Sequence, residues 1–326
     1  MTIAGLQGNW SQERIVLALA AVLFVASGIA LPGFLETANL ITIVRSVSVL
    51  GLLAVGMAIV IIGRGIDLAS VAIMAMSAAW YLQMLNDGWS GAAALPLTVL
   101  VVLVIGLANG FLIAYADVPP IFAALASGSF VFGFVRSQLI TQDAVPVPRG
   151  NWLESVGRAR LLEIPAEVFV FAGTAFAAYL FLRYTKWGRY VYYMGDNVLA
   201  ARNMGIPVRP MTMLRYVIPA LISLAAGLLT ASSLLSINTR VVNSTLLYDV
   251  ILVVVIGGIG LSGGKGGMRN VIVGAVLIGI MLNAMTIIDI SNIYQNLIKA
   301  TILLIASIAD SLLNPRDEQT AQQGDI

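Results

Sequence analysis

The chain has no cysteine and no histidine among its 326 residues. Without cysteine there is no disulfide, no thiolate nucleophile and no sulfur-ligated metal. Without histidine, the commonest metal ligand and near-neutral acid–base group is missing too. Charge is also scarce: Asp, Glu, Lys and Arg make up 10% of residues, against about a quarter in soluble proteins. These shortages argue against side-chain catalysis, and nothing calls for a cofactor, a metal or a nucleic-acid partner.

What is present in excess is apolar. Hydrophobic residues reach 59% and the mean hydropathy is +0.94, a composition suited to a bilayer. At roughly 20 residues per membrane-spanning helix, about ten spans consume some 200 residues. A fused ATPase or kinase domain does not fit in what remains. The expected fold is all-α, a polytopic transmembrane helix bundle over residues 1–314 with a short polar tail at 315–326.

Uncharged runs mark the spans: 15–35, 46–63, 68–86, 88–116, 118–135, 168–182, 216–239, 250–264 and 270–288, with a tenth, 290–309, interrupted only by Lys299. The first run exceeds a secretory h-region in length and reads as an uncleaved span. With a cytoplasmic N-terminus, the inner ends collect eleven basic residues (Arg14, Arg64, Arg183, Lys186, Arg189, Arg202, Arg209, Arg215, Lys265, Arg269 and Arg316). The outer loops hold four: Arg149, Arg158, Arg160 and Arg240. This bias gives an N-in, C-in topology. Arg136 and Lys299, at or inside spans, are costly against lipid, so each is expected to snorkel or face protein.

Two loops are long. The outer one, about 141–166, carries Pro146, Pro148, Trp152 and Pro165 and suggests an ordered cap or a docking surface. The inner one, about 184–211, holds much of the basic charge. Within it, Gly195 to Pro207 reads as a two-turn helix: Asp196 or Asn197 caps the start, Ala200, Ala201 and Arg202 propagate it, and Gly205 and Pro207 stop it. Helices this short are marginal in water, and the small alanines leave a surface that another protein can approach. The competing reading is a linker helix resting on its own bundle.

Residues 258–263 fit GxGxxG, but no strand and helix alternation surrounds them, so the dinucleotide reading is rejected. Gly264 and Lys265 fail as a phosphate loop because Gly266 stands where Ser or Thr is needed. These glycines are expected to make a tight re-entry between two spans. Asp67, at a span boundary beside Gly63 and Gly65, either caps the following helix or lies on a substrate or ion path. Gly106 and Gly110 form GxxxG, a close-packing signal.

Taken in order, these stretches resemble the membrane permease subunits of ABC-type importers in the ribose, galactose and xylose permease family. The resemblance rests on GIDL at 65–68, Asn109-Gly110, Pro120-Ile121-Phe122 with Leu125, the 195–206 segment, VVIGGIGLSGGKG at 254–266, GAVLIG with Asn283, and Tyr294-Gln295 with Lys299. Two departures stand out. Ala69, Ser70 and Val71 replace the usual Ser-Val-Gly after Leu68, and Val198 takes a place that is often acidic.

The resemblance implies a bacterial inner-membrane, multi-pass subunit that moves a small sugar, a pentose or related monosaccharide, by alternating access. It implies a cytoplasmic ATP-binding subunit, an extracytoplasmic solute-binding protein and a second permease subunit, identical or related, within membrane lipid. ATP hydrolysis belongs to the partner chain. A short cytoplasmic coupling helix would use Gly195, Asp196, Asn197, Ala200, Ala201, Arg202 and Gly205. Asp67, Asn109 and Asn283 are the candidates for lining or shaping the pathway. Branched-chain amino acids or nucleosides remain alternative cargoes. An ion-coupled secondary transporter is disfavoured because the acids Asp67, Asp249 and Asp289 lie at span ends, and a membrane enzyme by the missing His and Cys.

Overall fold

The computed structural model describes residues 12–161 and 163–313, so the polar tail, Arg316 included, lies outside the described residues. The elements in chain order are α1 (Gln12–Ala30), α2 (Thr37–Ile62), α3 (Ser70–Asn86), α4 (Gly91–Ala114), α5 (Pro120–Gln138), β1 (Ala144–Pro146), α6 (Trp152–Arg158), β2 (Arg160–Leu161), β3 (Ile164–Pro165), α7 (Ala166–Tyr184), α8 (Lys186–Asp196), α9 (Val198–Asn203), α10 (Val208–Leu234), β4 (Ser236–Asn238), α11 (Leu246–Gly257), α12 (Met268–Ile287) and α13 (Asn292–Leu313). The chain is a polytopic helical membrane protein. Among the described residues seven helices, α1, α2, α4, α5, α7, α10 and α12, are long and apolar enough to cross a bilayer. Of the other three expected spans, α3 has 17 residues and α11 has 12, about 18 Å of helix against a hydrocarbon core of about 30 Å. The uncharged run at 250–264 therefore divides: α11 ends at Gly257, Gly258 turns left-handed at φ 102°, and the rest is irregular loop.

Two helices form the centre. Residues 50–62 of α2 are all buried, and so is nearly every residue of α3 from Ser70 to Met84. A helix apolar on all sides has to be enclosed by others. Here α10, α12, α7 and α11 surround α2, while α10, α4 and α5 cover α3. At the periphery the pattern inverts. Ile29, Phe122, Phe130, Phe176, Ile293 and Leu304 expose most or much of their apolar surface, as lipid contact requires.

Charge did not set the helix boundaries that the runs suggested. Helix α2 begins nine residues before its uncharged run and carries Arg45 inside it; α10 begins at Val208 and includes Arg209 and Arg215. Tertiary partners absorb two of these charges. Arg45 Nε lies 3.6 Å from the buried Glu167 carboxylate, which also accepts from the Ser233 hydroxyl, and Arg215 donates to the Gly63 carbonyl. The GxxxG pair seats α4 on α10. A Cβ at Gly106 would lie 2.9 Å from Val217 Cα, and one at Gly110 would lie 2.6 Å from Met213 Cα, a separation only glycine permits.

The irregular segments gather at two ends. At one, β1 pairs antiparallel with β4, Asn86 donates to the Pro146 carbonyl at 3.0 Å, and the Trp152 indole donates to the Tyr81 hydroxyl at 2.8 Å. Asp143 there bridges Arg136 at 2.7 Å and Arg240 at 2.8 Å, so Arg136 snorkels to a carboxylate at the rim. At the other end, Gly264 N donates to the Ile62 carbonyl at 2.8 Å, and Tyr192 donates to the Gly266 carbonyl at 2.8 Å.

Candidate functional site

The second of these ends is built from α8, α9 and the 258–267 loop. Thr185 starts α8 by accepting from Gly188 N at 3.0 Å. Apolar and polar residues then segregate sharply: Val191, Met194 and Gly195 are buried while Lys186, Trp187, Arg189 and Tyr193 face outward. This is the pattern of a helix lying along an interface. Gly195 closes the contact, because a Cβ there would sit 1.9 Å from the Ile62 carbonyl and 2.5 Å from Gly264 N. Any side chain would force the α2 terminus and the 258–267 loop apart.

Asn197 then caps α9, accepting from Ala200 N at 2.9 Å. The stop comes at Gly205, which adopts φ 77° while Ile206 N returns to the Ala201 carbonyl at 3.1 Å. Ala201 and Ile206 are buried against the bundle. Ala200, Arg202 and Gly205 point outward together with Leu199, Asn203 and Met204. The seven sequence-derived coupling residues thus divide. Gly195 and Ala201 fix the helix to the bundle, Asn197 forms it, and Ala200, Arg202 and Gly205 lie on its free face with the exposed Asp196 beside them. Leu199 and Met204, 44% and 64% exposed, complete an apolar rim that sequence reasoning missed. Leu199 stands opposite Ala201 on the helix, whereas Met204 follows the last helical residue, so helical spacing does not mark it.

The three pathway candidates do not meet. Asp67 is buried between α2 and α3, and its carboxylate accepts from Ala69 N at 3.0 Å. This is an Asx turn in the α2–α3 connection rather than a helix cap, because α3 has Ala69 at its N-cap position and no side-chain cap bond. Asn109 is buried on α4, within 3.5 Å of the Ser127 hydroxyl of α5. Asn283 of α12 exchanges two hydrogen bonds with Asn39 of α2, at 2.8 and 3.1 Å. Helix α4 packs on α10, α3 and α5, whereas α12 packs on α2, α11 and α1, so Asn109 and Asn283 stand on opposite flanks.

Two charged contacts inside the bundle were not apparent from spacing. Lys299 faces protein, pairing with Asp249 at 2.8 Å and donating to the Thr245 hydroxyl at 2.8 Å. Glu167, the second residue of α7, is 1% exposed. The residues before Gly258 form helix α11 rather than the strand that a dinucleotide fingerprint needs.

Comparison with known proteins agrees with this architecture. The chain is 30% identical over 310 residues to the ribose import permease protein RbsC of Haemophilus influenzae, covering 94% of each chain. It is 32% identical over 292 residues to the protein of the same name in Bacillus subtilis, covering 89% of each. Against the galactofuranose transporter permease protein YtfT of Escherichia coli it is 32% identical over 275 residues, covering 83% of this chain and 79% of the other. No solved structure matches. The family described as branched-chain amino acid transport system / permease component matches residues 39–307, and the chain belongs to that family.

Proposed function

We propose that this chain is the permease subunit of an ATP-driven importer and moves a small sugar, a pentose or related monosaccharide. The single observation carrying the cargo is its near end-to-end similarity to ribose import permeases. As a permease it is a transport component of the inner membrane. The energy comes from a cytoplasmic ATP-binding partner, the cargo from an extracytoplasmic binding protein, and the pathway is completed by a second permease subunit.

About ten spans with both termini inside remain part of this reading, and one contact supports its N-terminal side. Gln12 lies beside Gly258, so α1 begins at the end carrying α8, α9 and the 258–267 loop, where eleven basic residues were expected and four on the other side. Residues Gly195 to Gly205 form the coupling segment: the free face of α9 (Leu199, Ala200, Arg202 and Met204) docks the ATP-binding subunit while Gly195 and Ala201 transmit its motion to α2 and the bundle. Asp67, Asn109 and Asn283 shape the pathway through the helix contacts they hold.

Uptake of labelled ribose into cells tests the reading. Ribose uptake that collapses on ATP depletion with the proton gradient maintained is expected. Collapse on uncoupling with ATP maintained would make it a secondary transporter. The family description keeps branched-chain amino acids as the second cargo, and uptake of labelled leucine that excess ribose does not inhibit, with no uptake of labelled ribose, would establish them instead.

A further inference from the structure

Two neighbouring cavities near the start of α12 share a wall. The first, about 370 Å³, lies between α1, α7, α8 and α12 and is lined by Arg183, Arg269, Tyr179 and Tyr192 among others. The second, about 250 Å³, is a groove along α1 and α12 lined by Leu17, Ile272 and Val273, with Arg14 at its edge. Glu13 and Arg269 border both. A basic chamber therefore adjoins an apolar furrow along the first turns of the two helices.

The Arg183 and Arg269 guanidinium groups have no carboxylate partner among the described residues. Arg183 is held by ring faces, 5.7 Å from the Tyr179 centroid and 5.8 Å from that of Tyr184. Such contacts engage the guanidinium plane and leave its N–H edge, which binds phosphate in paired fashion. Helix α12 begins without a side-chain cap, so its first N–H groups add to the positive field of the chamber. Against this, Glu13 supplies one carboxylate, leaving the lining net positive. Arginines at a membrane surface without a carboxylate partner favour an anion.

We infer that the paired cavities between α1, α7 and α12 form a binding site for an anionic phospholipid, the phosphate held by Arg183 and Arg269 and one acyl chain lying along Leu17, Ile272 and Val273. Charge complementarity selects the headgroup, and continuity with the furrow selects a lipid over free phosphate. The assignment of this site to the cytoplasmic leaflet rests on the N-in orientation proposed above; the lipid class does not.

Native mass spectrometry of the detergent-purified protein with added phosphatidylglycerol tests the site without requiring orientation or transport. Retention of phosphatidylglycerol over phosphatidylcholine is expected, undiminished by excess glycerol phosphate. The pair R183Q and R269Q should lower that retention roughly tenfold, with elution in size-exclusion chromatography unchanged. Removing equal charge at R202Q and R209Q should leave it intact. Ile272→Trp, which fills the furrow and keeps both arginines, should lower it as well. Equal retention of the two lipids, or equal loss in the two arginine pairs, would overturn the site; displacement by glycerol phosphate would make it a phosphate site instead. The leaflet is read separately, by labelling of single introduced cysteines.

Discussion

Lys299 of α13 and Asp249 of α11 form an ion pair at 2.8 Å with side chains only 8% and 10% exposed. The pair ties the last described helix to the bundle, and Thr245 takes a further N–H of the same ammonium. Removing one partner leaves the other charge buried and uncompensated, which costs about 3–5 kcal/mol. Lys299→Met should therefore lower the melting temperature in detergent markedly. The double variant D249N/K299M should recover much of the loss, because no lone charge remains. Equal destabilisation by the single and double variants would show that the pair contributes through packing alone.

The free and buried faces of α9 should respond differently. Ala200 is exposed and Ala201 is buried. A200E, alone or with L199E, should leave the permease inserted at normal levels while uptake falls more than about tenfold, a loss of about 1.4 kcal/mol or more in partner association. A201E should instead reduce the amount of folded protein, since it buries a charge without a partner. Normal uptake in A200E/L199E would sink the docking role of this face.

Gly195 gives a purely steric test. Gly195→Ala brings a methyl onto the Ile62 carbonyl and Gly264 N, and overpacking of this kind costs about 1–3 kcal/mol. At Gly133 and Gly173 an added Cβ would meet nothing within 4 Å, so alanine there should leave the thermal midpoint unchanged or slightly raised. The order of the three melting temperatures is the readout.

The absence of cysteine makes orientation directly measurable. Single variants A200C and R149C place a thiol at each end of the molecule, both at exposed positions. In intact cells a membrane-impermeant maleimide should label R149C and spare A200C. The reverse pattern would turn the N-in reading over.

At the opposite end, Asp143 is held below the ordinary carboxylate range, first by the hydrogen bond from Arg240 and also by the charge of Arg136. A depressed folded-state pKa contributes stability that is present above the unfolded value of about 3.9 and is lost as pH falls through the lower folded value. The contact is exposed to solvent, so the effect is small. Thermal midpoints of the native protein and of D143N should run parallel from pH 7 to 5. Their difference should narrow only at more acidic pH. A difference that closes between pH 7 and 5 would exclude Asp143 as its source.

Much of the end that carries α8, α9 and the 258–267 loop was legible in the chain itself because local rules govern it. Asn197 caps and Gly205 stops α9 where the side-chain chemistry and the left-handed φ require, and the glycines of 258–267 make an irregular re-entry. The helical membrane class followed from composition and run length, since a bilayer accepts no other arrangement of so apolar a chain apart from a closed barrel. What local rules could not reach was which face of α9 is free. Ala200 and Ala201 are identical in chemistry, and only the packing of the bundle buries one and exposes the other.

The sequence by itself determined a multi-helix membrane protein, the distribution of basic charge between its loops and the short capped helix of the 184–211 loop, because hydropathy, charge and capping act over a few residues. The tertiary structure alone decided that Asp249 meets Lys299, that Glu167 meets Arg45, and that Asn109 and Asn283 stand on opposite flanks. Those two ion pairs join residues 50 to more than 120 positions apart. Their partners are selected by how helices cross, a property of the whole bundle that no local pattern encodes.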